Sequence, residues 1–316
     1  MPVHRRADDP DVRPTATDGG LGASRRSLPP QARPTVSVII PCQNEAPTVA
    51  AIASCIRREL VEREQLVDEV IVMDDGSTDD TAAVAAAAGA KVIAVDSVLP
   101  ELIAGSGKGN VLWKSLFASY GDVICWVDGD IRNFEAHFVR NLILPLIDDP
   151  TLCFVKAYYQ RPYENLPQGG GRVTELVARP MISRYFPELS GIRQPLSGEY
   201  AGRRSALEAV PFVEGWGVEM GLLIDIAREF GVESIAQADL GVRRHRNRAL
   251  HELTPQAAAI INVMLRRAGC EATGQSEQVV RLLPDGSLEW VPVESRERPP
   301  AASVQQPSAC AERPTS

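Results

Sequence analysis

Asp128-Gly129-Asp130 concentrates the most suggestive chemistry in the chain. It follows directly on the apolar run Val123-Ile124-Cys125-Trp126-Val127. Two carboxylates one residue apart at a strand end can approach the same divalent cation. Mg2+ and Mn2+ take hard oxygen ligands, usually a few carboxylates together with substrate phosphates. The glycine between them lets the backbone come close to a ligand. Taken alone, Asp-x-Asp is also an ordinary acidic turn, so its weight comes from its position. Lys108 stands in Gly105-Ser106-Gly107-Lys108-Gly109, ahead of a helical stretch. A lysine there meets a diphosphate as a point charge, aided by the helix N-terminus. The G-x-x-x-x-G-K-[ST] pattern is absent. Asp74-Asp75-Gly76-Ser77 closes another apolar run and reads in isolation as a turn, with Ser77 capping a helix and Asp80 at capping-box spacing. Pro41, Asn44 and Glu45 close a third, where they could line a base or ribose pocket or form a simple loop.

The segments that carry these residues alternate in type. Thr35 to Ile40 reads as a strand buried on both faces, and Glu69 to Met73, Lys91 to Val95 and Asp122 to Val127 read as further strands. Between them lie helical stretches: one opening near Pro47, an alanine-rich one, and one running to about Tyr120. The fold class is therefore α/β, a doubly wound, mostly parallel sheet. Ligands of such sheets bind beyond the carboxyl ends of the strands, and every polar cluster named above sits at one. The second half is less regular. A strand is expected over Leu152 to Ala157, a helix from about Thr174, a helix from Glu219 to Phe230, and a hairpin over Val279 to Val293. Residues 1–34 and 296–316 carry no periodic apolar pattern and read as disordered termini. Residues 35–150 read as a nucleotide-binding half and 151–295 as the other half of one domain.

These motifs, in order, resemble a known group. Val36-Ser37-Val38-Ile39-Ile40-Pro41 with Asn44-Glu45, then Asp75-Gly76-Ser77-Thr78-Asp79, then Asp128-Gly129-Asp130, resemble the nucleotide-sugar half of a GT-A glycosyltransferase. Further segments narrow the resemblance. They are Gly169 to Pro180, Gln194-Pro195-Leu196-Ser197-Gly198-Glu199-Tyr200, Gly217-Val218-Glu219-Met220-Gly221, and Gly241-Val242-Arg243-Arg244-His245-Arg246-Asn247-Arg248. Together they are similar to the glucosyl-3-phosphoglycerate and mannosyl-3-phosphoglycerate synthases, over about Thr35 to Leu265.

The resemblance implies a retaining, Mg2+- or Mn2+-dependent transfer of a hexose from a nucleotide sugar, UDP-glucose favoured over GDP-mannose, to the 2-hydroxyl of 3-phosphoglycerate. It implies nucleotide-sugar contacts from Pro41, Gln43, Glu45, Asp75, Ser77, Asp128 and Gly129, with Lys108 at the diphosphate. Asp130 and His245 would ligate the metal, with Asp128 beside them. Gly171, Arg172, Thr174 and Asn247 would hold the acceptor, and Glu219 would lie near the reacting hydroxyl. The chemistry agrees: a phosphorylated acid calls for arginine forks and free backbone amides, which Gly169-Gly170-Gly171-Arg172 offers at a helix start. His245, flanked by arginines, would stay neutral, as a metal ligand must. Cys42, Gln43, Ala46 and Trp216 depart from the family pattern close to the donor pocket and leave base and sugar preference open. The resemblance also implies a homodimer.

The bulk properties bound these readings. The chain has 316 residues, 44% of them hydrophobic, and a net charge of −8. That balance speaks against nucleic acid as a partner, which requires phosphates to be neutralised. No apolar run nears the roughly 20 residues of a membrane helix, and the first residues carry no apolar secretory stretch, so no membrane partner and a cytoplasmic location are expected. Six scattered cysteines show no C-x-x-C spacing. An inverting glycosyltransferase, a nucleotidyltransferase and a silent sugar-nucleotide-binding module are the alternatives. Product anomeric configuration, pyrophosphate formation from an NTP, and donor binding without turnover would distinguish them.

Overall fold

The computed structural model describes residues 33–102, 105–162, 170–244, 249–270, 278–293 and 296–304. Its strands are β1 (Val36–Cys42), β2 (Glu69–Asp74), β3 (Lys91–Ala94), β4 (Val123–Trp126), β5 (Phe154–Gln160), β6 (Tyr200–Arg203), β7 (Phe212–Val213), β8 (Ile235–Val242), β9 (Gln278–Leu282), β10 (Leu288–Pro292) and β11 (Glu297–Arg298). The helices are α1 (Val49–Ile56), α2 (Thr81–Ala87), α3 (Gly107–Ala118), α4 (His137–Asp148), α5 (Arg179–Tyr185), α6 (Arg204–Ala209), α7 (Val218–Phe230) and α8 (Thr254–Arg267).

Seven strands make one sheet in the order β3-β2-β1-β4-β6-β5-β8. Pairing is parallel except at β6, which runs against both β4 and β5. The mostly parallel sheet agrees with the sequence reading, and the reversed strand has a consequence for the site. Tyr200, the first residue of β6, lies opposite Trp126, the last of β4. Only a reversed strand brings the residues preceding it to the edge where its neighbours end. Gly198 and Glu199 thereby reach the Asp128–Asp130 loop.

Alternation along the strands divides the core into two layers. Val38, Ile40, Val72 and Cys125 face α1 and α4, whereas Ile39, Ile71, Ile124 and Trp126 face α3 and α7. Trp126 meets Tyr200 and Phe212 edge-on at 5.4 and 6.2 Å. Such pairs add about 0.5–1.5 kcal/mol each beyond their burial, which stiffens the sheet directly below the Asp-Gly-Asp loop.

Three local readings change. Ser77 does not cap a helix: α2 begins at Thr81, and Asp79 Oδ1 takes the Thr81 amide at 3.0 Å. The Ser77 hydroxyl instead accepts the Asn44 amide at 3.0 Å, tying the loop after β2 to the loop after β1. Residues 296–304, expected within a disordered tail, contain β11 and a 3-10 turn. Polar anchors hold them where an apolar pattern is missing. Arg266 and Arg267 pair with Glu297, and the Trp113 indole donates to the Pro299 carbonyl at 2.8 Å. Finally β8, which the sequence reading did not single out, pairs with β5 and carries Arg243 to the carboxyl edge.

Candidate active site

The sequence-derived residues fall into two groups joined at one loop. Gln43, Glu45, Asp75 and Ser77 lie on the connections that follow β1 and β2, and Pro41 is the last residue but one of β1. These connections are knitted together. Gln43 Nε2 donates to the Asp75 carbonyl at 2.9 Å, the Asp75 amide donates to the Cys42 carbonyl at 2.9 Å, and the Glu45 amide donates to Thr81 Oγ1 at 2.8 Å. Burial first, then nearby Asp96 and Asp74, push the Asp75 carboxyl above its ordinary value. Gly129 links this group to the next, because a Cβ there would lie 2.6 Å from Cys42 Sγ and 3.3 Å from the Pro41 carbonyl. A side chain at position 129 would thus meet Cys42, Pro41 and Glu45.

The second group surrounds a cavity of about 180 Å³. Lys108, Asp128, Asp130 and Glu219 line it together with Gly171, Arg172 and Thr174. Lys108 and Glu219 are each the second residue of a helix, α3 and α7 respectively, so two helix N-termini with their exposed amides and positive dipole ends open on this space. Lys108 Nζ spans the site, 2.6 Å from Asp128 Oδ1 and 2.9 Å from Glu219 Oε1. A second chamber of about 680 Å³ adjoins the first, sharing Arg161, Gly171, Arg172, Thr174 and Leu196 and adding Arg179 and Arg193. His245 and Asn247 lie outside the described residues.

Four residues that complete the site were not assigned roles from the sequence. Arg243, 2% exposed, donates from Nη2 to Asp128 Oδ2 at 2.7 Å and Asp130 Oδ1 at 3.0 Å, and from Nε to Glu199 Oε1 at 2.7 Å. Of the basic run that follows β8, Arg243 points inward and Arg244 is exposed. Glu199 is fully buried beneath Arg243. Gly198 abuts Asp128 so tightly that a Cβ would lie 2.2 Å from Oδ2. Lys156, also fully buried, donates to the Ser197 carbonyl at 2.6 Å and sits 4.2 Å from the centre of the Tyr200 ring. It fixes the turn that presents Gly198 and Glu199. The sequence signal for three of these residues was present in Gln194 to Tyr200 and in the run from Gly241, both part of the family resemblance.

The electrostatics follow from burial and neighbours. Burial would lift the Asp128 carboxyl, but Lys108 and Arg243 outweigh it and hold Asp128 well below the usual carboxylate range. Burial likewise opposes charge on Lys108, yet Asp128 and Glu219 raise its affinity for the proton well above the ordinary value. Burial lifts the Asp130 carboxyl, with Arg243 pulling it down and Asp128 pushing it up. The Lys156 ammonium is driven down to about 7, mainly by burial. Among the described residues no three His, Cys, Asp or Glu side chains gather into a metal-holding cluster. The donor set fits Mg2+ or Mn2+ only in part. Asp128 spends both oxygens on Lys108 and Arg243, whereas Asp130 engages Arg243 through Oδ1 alone. Asp130 is thus the better placed ligand, and substrate phosphates or water would supply most of the remaining oxygens.

Comparison with known proteins decides the family. The profile of glycosyl transferase family 2 matches residues 37–210. The chain is 49% identical over 236 residues to glucosyl-3-phosphoglycerate synthase of Petrotoga mobilis, covering 73% of each chain. It is 47% identical over 244 residues to the Mycolicibacterium smegmatis synthase, covering 76% of this chain and 80% of that one. This chain belongs to the glucosyl-3-phosphoglycerate synthases. Among solved structures, that of the Mycobacterium tuberculosis synthase in complex with Mn2+, UDP-glucose and phosphoglyceric acid superposes with a TM-score of 0.78 at 41% identity, covering 86% of this chain and 92% of that one. The same enzyme has been crystallised with Mg2+ and UDP, with a TM-score of 0.78 at 42% identity. The GT-A fold expected from the motifs is the fold observed.

Proposed function

We propose that this protein transfers glucose from UDP-glucose to 3-phosphoglycerate with retention of anomeric configuration, in a reaction dependent on Mg2+ or Mn2+. The observation that carries this reading is the single cavity in which Lys108, Asp128, Asp130 and Glu219 face Gly171, Arg172 and Thr174. One wall presents cations and carboxylates suited to a metal-bound diphosphate. The other presents an arginine, a hydroxyl and backbone amides suited to a small phosphorylated acid.

A metal held by Asp130, with His245 and Asp128 as further candidates, would neutralise charge on the departing diphosphate. Lys108 contributes a preorganised positive charge on the same side. Its two carboxylate partners keep it charged and extended before the donor arrives. Arg243 fixes Asp128 and Asp130 relative to each other through one guanidinium nitrogen. The anomeric carbon gains oxocarbenium character as the leaving group departs. Glu219, beside Lys108, is placed to orient the acceptor hydroxyl and to face that positive charge. Arg172 and Thr174 hold the acceptor. The donor loops at Pro41, Gln43, Glu45, Asp75 and Ser77 take the nucleotide. The reading extends to a cytoplasmic homodimer. Among the described residues no helix is long and apolar enough to cross a membrane. The β9–β10 hairpin exposes Leu282, Leu288 and Trp290, a face that a second copy would cover.

The test incubates the protein with Mg2+ and either UDP-glucose or GDP-mannose, with and without 3-phosphoglycerate, and identifies products by mass and anomeric configuration by NMR. Glucosyl-3-phosphoglycerate with the donor's α configuration is expected. No acceptor-dependent product from either donor would overturn the proposal. Asp130→Ala is expected to abolish the metal-dependent reaction, and wild-type turnover in that variant would remove Asp130 from the metal site.

A further inference from the structure

We infer that Arg298, on the C-terminal strand, is a positioning residue for the donor end of the site. The inference rests on the reading of Lys108 as the diphosphate ligand. Lys108 and Glu219 must meet across the cavity, yet they belong to segments far apart in sequence. Arg298 joins those two segments from behind. Its Nε donates to Glu214 Oε1 at 2.7 Å and to Asn110 Oδ1 at 3.1 Å. Asn110 lies two residues after Lys108 in α3, and Glu214 lies five residues before Glu219, on the turn that enters α7.

The joint is buried and closely packed. Arg298 is 7% exposed, Glu214 and Asn110 2% each. A Cβ on Gly105 would fall 1.8 Å from Arg298 Nη2, and a Cβ on Gly109 would fall 1.8 Å from the Val213 carbonyl oxygen. The start of α3 therefore lies directly against the turn after β7 and against the guanidinium. The guanidinium is held in turn by its own strand. Arg298 and Glu297 pair with Phe212 and Val213, and the Glu214 amide donates to the Arg296 carbonyl at 2.9 Å. The guanidinium also lies 5.4 Å from the centre of the Trp113 ring, one turn further along α3.

These contacts fix the start of α3 relative to the start of α7, and with it the 2.9 Å approach of Lys108 to Glu219. Arg298 touches neither Lys108 nor the cavity lining, so its effect on turnover is indirect. Loss of the joint lets Lys108 drift from the diphosphate while Arg172 and Thr174, which belong to neither segment, stay in place.

The experiment compares Arg298→Gln, Arg298→Lys and Arg267→Gln with wild type. Arg267 anchors the same strand through Glu297 and reaches Asp225, but has no contact with Glu214 or Asn110. Arg267→Gln thus reports loosening of the strand and of the ion pair between α7 and α8, with the contacts of Arg298 to Glu214 and Asn110 left in place. Steady-state kinetics give KM for each substrate, calorimetry gives UDP affinity with Mg2+, and thermal unfolding shows where each variant is folded. Arg298→Gln is expected to raise the UDP-glucose KM and weaken UDP binding about tenfold, a fraction of the ~10²-fold that a displacement near 1 Å can cost. The 3-phosphoglycerate KM should stay within about twofold. Arg298→Lys, which keeps a charge for Glu214, should recover part of the loss. Arg267→Gln should lower the unfolding temperature and leave the donor KM unchanged. Wild-type donor KM and UDP affinity in Arg298→Gln would overturn the inference. So would an equal rise in both substrates' KM, or a donor defect of the same size in Arg267→Gln. Should Arg298→Gln fail to fold, the same outcomes apply to Arg298→Lys. Absence of turnover in wild type would count against the proposed reaction instead, with UDP affinity still reading the joint.

Discussion

Gly198→Ala adds one methyl group at the most crowded point of the site. Its Cβ would lie 2.2 Å from Asp128 Oδ2 and 2.8 Å from Asp128 Cγ. Non-bonded heavy atoms settle at roughly 3.5 Å, so one partner must retreat by about 1 Å. Neither retreats freely. Asp128 is held by Lys108 at 2.6 Å and by Arg243 at 2.7 Å. The turn carrying Gly198 is held on both sides, by Lys156 on the Ser197 carbonyl at 2.6 Å and by the Ala157 amide on the Glu199 carbonyl at 3.1 Å. Displacing Asp128 draws Lys108 away from its place over the diphosphate. A misplacement near 1 Å costs on the order of 10²-fold in rate, about 2.7 kcal/mol in the barrier. The expected result is a roughly hundredfold fall in kcat/KM, with cooperative unfolding retained. UDP release with UDP-glucose, 3-phosphoglycerate and Mg2+ measures it, and thermal unfolding by tryptophan fluorescence confirms the folded state. A folded Gly198→Ala enzyme within about threefold of wild-type kcat/KM would refute the argument that this close approach sets the position of Asp128.

Arg172→Ala removes the charged donor assigned to the acceptor phosphate. Loss of a charge-assisted hydrogen bond of about 1.5–3 kcal/mol should raise the 3-phosphoglycerate KM about ten- to hundredfold while leaving the UDP-glucose KM within about twofold; the opposite split in initial-rate kinetics would move Arg172 to the donor side. Lys156 titrates near 7 in the folded protein, against 10.5 for an ordinary lysine. Between those values the unfolded chain binds the proton and the native protein does not, so this group adds stability as pH rises through the window, by up to about 1.4 kcal/mol per pH unit. Lys156→Met should flatten that rise in denaturant unfolding at pH 7.5 and 9, and parallel pH dependence in the two proteins would show that Lys156 is not the source.

The sequence alone determined the alternating α/β architecture, because strands buried on both faces must be apolar throughout and the helices between them must carry an apolar stripe. It also determined which polar clusters lie at the carboxyl edge, since in a parallel sheet chain direction fixes which end each loop occupies. Lys108, Asp128 and Asp130 were legible in this way, Gly171, Arg172, Thr174 and Glu219 through the family resemblance, and all of them share one cavity. The tertiary structure decided matters that no local pattern encodes. A strand gives no local sign of its direction within the sheet, so the reversal of β6, which brings Gly198 and Glu199 against Asp128 and Arg243, appears only in the assembled fold. A buried cation reads in sequence like an exposed one. Arg243 and Lys156 are distinguished from the exposed cations of the chain only by the carboxylates and carbonyl that surround them. For the same reason the strand at Glu297–Arg298 stayed hidden in a polar, proline-rich stretch. What orders it is ion pairing with residues of α8 and of the turn after β7, and such pairing depends on distance in space, which sequence separation does not reveal.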